Sequence, residues 1–415
     1  MLKKIFSYKN PQNLIVLMNI LALVLLFLYK DQYDRLILIS GVLLMFIIYI
    51  SNFILLKTSS GDHYIFLIMG MLVSIGIIMI YRINSTIGFK QIVWFGISMI
   101  AYFLAYMIVK KGKGWQRWTR YYAAGSLILF LLTLVFGTKI KGATNWIRIG
   151  NHSFQPAEMI KLVFVFFLAS YYVNKDRLLN KYVFLGIVYA HMAFLFVQRD
   201  LGTAMLFFLV FMTIFYIYEE DRKLIYYNLL GAGVTAFFSF LAVNHVRIRV
   251  ETWIDPWRFI DNKGYQITQS LFAIGTGGFF GTGVGLGHPE FIPEVHTDFI
   301  FSAICEEMGI FGGIAVIMLF LILVYRGFKI ALNQQNQFFR IVALGITAML
   351  GFQAFIIMGG VMKLIPLTGV TLPFVSYGGS SLLSSFAALG ILQVASEEIE
   401  SEQEEEHEHR IQEDH

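Results

Sequence analysis

Charge is scarce in this chain. Only 14% of its 415 residues are Asp, Glu, Lys or Arg, and 57% are hydrophobic. A soluble domain carries roughly 25% charged residues, so an ordinary water-facing globular protein is excluded. Cysteine is scarcer still. Cys305 stands alone, which excludes an intrachain disulfide. No small-residue cleavage site follows Lys3, Lys4 and Lys9 and the apolar run after them, so that run is expected as an uncleaved first span. No internal repeat of the kind that marks many transporters is present. Nucleic acid is not an expected partner.

What the chain has is long apolar runs. Several reach the ~17–25 residues that cross a bilayer as a helix, and backbone hydrogen bonding in lipid forces such spans to be helical. Twelve spans are predicted, near 14–30, 35–56, 63–81, 89–109, 121–137, 156–173, 182–198, 201–218, 223–244, 299–325, 339–361 and 375–395. The expected fold class is therefore an all-α polytopic membrane protein.

Lysine and arginine set the expected orientation. They cluster at Lys110, Lys111, Lys113, Arg117 and Arg120, at Lys175, Arg177 and Lys181, at Arg222 and Lys223, and at Arg326, Lys329 and Arg340. All four groups fall on one side if both termini are cytoplasmic. The tail from Glu397 to His415 holds ten acidic residues and one basic one, and without it the body carries 31 basic and 17 acidic residues. Such a tail, 396–415, is expected to be solvated and disordered, and its His407, His409 and His415 are not read as a metal site. A basic body suits anionic membrane lipid.

The opposite side is predicted to face outward. It holds 138–155, the Gln198-Arg199-Asp200 turn, the long 245–298 segment and 362–374. The 245–298 segment is too long for a simple connector. It carries Trp253 and Trp257, read as interfacial anchors, and a glycine-dense run from Gly275 to Gly287. That run is not a phosphate loop, because no Lys-Ser/Thr follows it. Pro366 and Pro373 interrupt the next outer segment, and broken backbone at that depth implies a cavity wall.

The unusual stretch is Pro293-Glu294-Val295-His296-Thr297-Asp298-Phe299, running on to Cys305-Glu306-Glu307. A carboxylate at a membrane boundary is a functional candidate. Asp298 reads two ways from sequence alone: as a general base or as the N-cap of the next helix.

Four separated motifs resemble the SEDS family (shape, elongation, division and sporulation), which includes RodA, FtsW and SpoVE. The first is Gly142-Ala143-Thr144-Asn145-Trp146-Ile147 with Phe154-Gln155-Pro156-Ala157-Glu158 and Lys161. The second is Gln198-Arg199-Asp200-Leu201-Gly202-Thr203-Ala204. The third runs from Gly264-Tyr265-Gln266 to Asp298-Phe299 and Glu306-Glu307-Met308-Gly309; the fourth spans Pro366 to Ser381. The resemblance covers about 62–395 and implies a ten-helix SEDS-like core, leaving 1–61 as an extra hairpin. Arg199 stands where many members have proline, and Ile357 where many have asparagine. Together with Lys363 and the Pro-Leu-Thr-Gly-Val run, the Arg199 form resembles a subgroup seen in Gram-positive bacteria.

The resemblance implies a peptidoglycan glycosyltransferase in the bacterial cytoplasmic membrane. It would polymerise lipid II, the undecaprenyl-diphosphate-linked disaccharide-pentapeptide, beside a class B penicillin-binding protein that supplies the transpeptidase. Asp298 matches the family's catalytic acidic residue. Lys161, Arg199 and Lys363 are candidates to stabilise the leaving diphosphate, as is a bound magnesium or manganese ion. Glu158 shares a helix face with Lys161, and Asp200, Glu294, His296, Glu306 and Ser380 complete the candidates for the active cavity. The competing readings are a lipid II flippase and a non-enzymatic scaffold for the transpeptidase.

Overall fold

The computed structural model describes residue 13, residues 15–21, residue 24, and residues 35–140, 143–150, 152–174 and 179–397. Most of the span expected near 14–30, together with Gly142, Lys175, Arg177 and the tail from 398 onward with its histidines, lies outside the described residues.

Among the described residues, nine helices are long and apolar enough to cross a membrane, and two shorter apolar helices accompany them. In chain order they are α1 (Arg35–Thr58), α2 (His63–Ile83), α3 (Ser85–Lys111), α4 (Thr119–Phe136), α5 (Pro156–Val173), α6 (Lys181–Val197) and α7 (Leu201–Tyr218). After them come α8 (Arg222–Ala242), two short helices α9 (Asn244–Ile254) and α10 (Tyr265–Gly277), then α11 (Ile300–Asn333), α12 (Gln337–Val361) and α13 (Gly379–Ala395). The protein is a multi-pass membrane bundle.

Polar residues start many of these helices where the chain turns. Asp62, Asn84, Asn180, Asp200, Asp221 and Asn336 each accept a backbone N–H of the helix they precede, which satisfies donors a helix end leaves open.

Helices α2, α5 and α12 form the interior, each with 83% of its apolar window buried, whereas α8 has only 11% buried and stands at the rim. Helix α13 packs closely on α3 and α12, with small residues such as Ser384, Ala388 and Gly390 on its buried surface. Ahead of α1, Asn19 donates to Ser74 of α2 at 3.0 Å.

The structure adds three things to the sequence expectation. The 138–155 connector folds into a small antiparallel sheet, β1 (Thr138–Ile140), β2 (Ala143–Ile149) and β3 (His152–Phe154), in the order β1-β2-β3. Strands this short give little periodicity to read. The 245–298 segment is mostly helical, carrying α9 and α10. The tenth predicted span extends to Asn333 and is broken at Gly309.

Charged ties close the end of the bundle that carries Glu397. Lys110 pairs with Glu397 at 2.8 Å, Arg326 with Asp62 at 2.8 Å and Lys181 with Glu219 at 3.0 Å. Glu397 also accepts from Ser59 and Tyr106, so this first residue of the acidic tail is packed.

Candidate active site

At the opposite end, β2, the start of α5, the α6–α7 turn, α9, the segment before α11 and the 368–381 stretch surround a cleft of about 250 Å³. Its walls include Asn145, Gln155, Glu158, Arg199, Asp200, Arg249, Thr297, Asp298, Thr371, Tyr377 and Ser380.

Asp200 organises one wall. Its carboxylate caps α7 by accepting the Thr203 N–H at 3.2 Å, and it also accepts from Asn145 at 2.7 Å and Gln155 at 2.9 Å. The sheet, the α6–α7 turn and the start of α5 are thereby joined through one side chain. Arg199 occupies the left-handed backbone region at φ 62°.

Glu158 and Lys161 form the buried pair their spacing predicts, at 2.7 Å. Lys161 also donates to Gln353 at 3.0 Å, and Glu158 accepts from Ser384. Glu158 reaches the cleft wall, whereas Lys161 lies behind it, neutralised where an unpaired charge would be costly. Ser380 lines the cleft and accepts the Gln155 N–H at 3.3 Å.

Asp298 faces the same space. Helix α11 begins at Ile300 with Phe299 at its cap position, so Asp298 stands just ahead of the helix. Across from it stands Arg249, whose Nη1 donates to the Thr368 carbonyl at 2.9 Å. The two groups meet at Gly369: a Cβ there would sit 3.7 Å from Asp298 Oδ2 and 3.8 Å from Arg249 Nη2. Gly369 adopts φ 76°, a region that favours glycine. Burial lowers the Arg249 pKa, and the carboxylates of Asp200 and Asp298 oppose that shift. His245, one turn earlier, is held below its ordinary pKa by burial, then by Arg249 and Arg199.

Not every candidate joins this cleft. Glu294 sits at φ 59°, and its carbonyl accepts the Thr297 and Asp298 N–H groups at 3.1 and 3.2 Å. It shapes the turn that presents Asp298. His296 packs edge-on against Tyr377 at 5.8 Å, beside the cleft. Lys363 is outside the lining; its carbonyl accepts the Trp253 indole N–H at 3.1 Å. Trp253 thus ties α9 to the 362–374 segment. Glu306 accepts the His288 N–H at 2.8 Å, away from the cleft. Arg249 is the residue the sequence reading missed. The signal was the charged stretch Arg247-Ile248-Arg249-Val250-Glu251, in which Arg247 and Glu251 stand at helical i, i+4 spacing.

Comparison with known proteins places this geometry. A family profile described as "Cell cycle protein", covering FtsW, RodA and SpoVE, matches residues 62–401. This chain belongs to the SEDS family. The match begins at 62, so α1 and what precedes it lie outside the shared region. Stage V sporulation protein E of Bacillus subtilis is 34% identical over 81% of this SEDS chain and 97% of its own length. A probable peptidoglycan glycosyltransferase FtsW of Trichlorobacter lovleyi is 36% identical over 81% of this chain and 93% of its own. The solved structure of RodA from Thermus thermophilus superposes with a TM-score of 0.64 at 25% identity, covering 83% of this chain and all of that one. A structure described as "Structural coordination of polymerization and crosslinking by a peptidoglycan synthase complex" gives 0.68 at 25% identity, over 81% of this chain and 98% of that one.

Proposed function

We propose that this SEDS protein is a peptidoglycan glycosyltransferase that polymerises lipid II at the outer face of the cytoplasmic membrane. The names of its RodA and FtsW relatives, peptidoglycan glycosyltransferases, support the activity. The observation that carries the assignment to this cleft is the meeting of Asp298 and Arg249 at Gly369. The basic loops at the Glu397 end favour a cytoplasmic position for that end and both termini, which turns the cleft outward.

In this reading the 4-hydroxyl of one sugar attacks the anomeric carbon of another. The new glycosidic C–O bond forms as the bond to the lipid diphosphate breaks, and the bonding electrons leave with the diphosphate. Asp298 takes the hydroxyl proton as general base. Arg249, with Arg199, meets the charge growing on the leaving group. Asp200 holds the wall on which Arg199 stands. Lys161 acts indirectly, by holding Glu158 in place.

Among the described residues no group of three or more His, Cys, Asp or Glu could hold a metal ion. Magnesium is typically held by one or two carboxylates plus substrate phosphates, so a divalent ion would arrive with the diphosphate and lean on Asp298 or Asp200. A class B penicillin-binding protein is the expected partner, in keeping with the synthase complex that this fold resembles.

The test is glycan-strand formation from purified lipid II by the full chain with its transpeptidase-blocked partner. Polymer from wild type and none from folded Asp298→Asn supports the assignment. Equal polymer from both removes Asp298 as base. No polymer from either, with lipid II translocation detected in vesicles, replaces the reading with a flippase.

A further inference from the structure

Helix α11 does not continue smoothly past the residues that follow Asp298. Gly309 has φ 68° and ψ −171°, which breaks it. The break leaves the Glu306 and Glu307 carbonyls to accept the loop N–H groups of Thr282 at 2.9 Å and Gly283 at 3.0 Å, while the Ile310 N–H donates to Gly278 at 2.9 Å. The glycine run is stitched into the gap. It fits because a Cβ at Gly281 would collide with the Glu307 carbonyl, and one at Gly309 with the Gly281 nitrogen.

The side chains of this junction finish the joint. Glu307 is fully buried and accepts the Gly285 N–H at 3.0 Å through one oxygen. Its other oxygen lies 2.5 Å from Arg82 Nε, at the end of α2. Arg82 then donates to the Gly285 carbonyl at 3.1 Å and the Gly287 carbonyl at 2.5 Å, and reaches Glu290 at 3.5 Å. One guanidinium therefore holds together α2, the broken helix and the glycine loop at Gly285 and Gly287. Glu290 lies eight positions before Asp298 and Glu307 nine positions after it, so the catalytic carboxylate is carried between two points of the same clasp.

The geometry points to Arg82 and Glu307 as positioning residues for the reaction. Their pair sets where Asp298 stands relative to Arg249, without touching substrate. This rests on the polymerase reading above. Lysine cannot replace the guanidinium here, because a single ammonium lacks the planar fork that spans a carboxylate and two carbonyls. A misplacement of about 1 Å can cost ~10²-fold in rate.

The experiment compares wild type, Arg82→Lys and Glu307→Gln in the partner complex. It measures kcat and KM for lipid II per folded molecule, and amide hydrogen exchange over 278–298. The expected result is a fall in kcat of about 10²-fold with KM little changed, and faster exchange at Thr297 and Asp298. Glu307→Gln keeps an acceptor for the Gly285 N–H, so it provides a folded test if Arg82→Lys is unstable. Unchanged exchange at 297–298 overturns the inference. So does faster exchange with wild-type kcat, or a lower melting temperature with wild-type kcat per folded molecule. A wild type that makes no polymer counts against the polymerase reading, while the exchange comparison still judges the clasp.

Discussion

The two ends of this bundle use the same residue types differently. At the Glu397 end, Lys110, Arg326 and Lys181 each close on a carboxylate within 3.0 Å, and Glu397 adds hydroxyl donors from Ser59 and Tyr106. The charges there end chains and fasten helices. At the Asp298 end, Arg199, Asp200, Arg249 and Asp298 are spread around a cleft of about 250 Å³. Around the cleft, amide and backbone partners hold Asp200 and Arg249 at the walls, which leaves room for a ligand.

The comparison is broken most severely at Asp298. Asp298→Asn is expected to lower polymerisation by about 10²–10⁴-fold with the protein still folded, whereas Glu397→Gln leaves turnover per folded molecule unchanged; both are read from glycan product per folded molecule. Next is the pair that lies behind the cleft. Lys161→Met strands the buried Glu158 carboxylate, at a cost of about 3–5 kcal/mol, seen as a lower unfolding midpoint. Adding Glu158→Gln recovers most of that loss, which a purely catalytic Lys161 would not show.

Arg249→Ala is expected to cost about 10²–10³-fold in turnover, with Arg249→Lys intermediate because the charge is kept while the guanidinium's bond to the Thr368 carbonyl is lost. At the other end, Glu397→Gln weakens three contacts and costs about 2 kcal/mol of stability. Burial pulls the Glu397 pKa upward, but hydrogen bonds from Lys110, Ser59 and Tyr106 outweigh it and hold the carboxyl below 4.5. Its contribution is therefore complete above the unfolded value of 4.5 and is lost as pH falls through the lower folded value. Thermal unfolding across that range should lose its acid limb in part when Glu397 becomes Gln.

Much of the site was legible in the residues themselves. Asp298, Asp200, Arg199, Glu158 and Ser380 come together around the cleft, because each stands beside the end of a span that hydropathy marks well. The i, i+3 spacing foretold the contact of Glu158 with Lys161. It did not say that Lys161 would turn to Gln353, since that depends on α12, nearly two hundred residues on. Glu306 and Glu307 look alike in sequence whether they face substrate or loop amides; only the break at Gly309 decides. Arg249 was hidden because α9 is eleven residues long and too polar to read as a span, so it reads as part of the long 245–298 outer segment.

Helix α8 leads straight into this site. It has little protein around it, and only Val243 separates it from α9, which carries Arg249. A helix held mainly by lipid takes its tilt from bilayer thickness. Acyl-chain length in reconstituted bilayers is therefore expected to change the tilt of α8, and turnover with it, with no change in the protein.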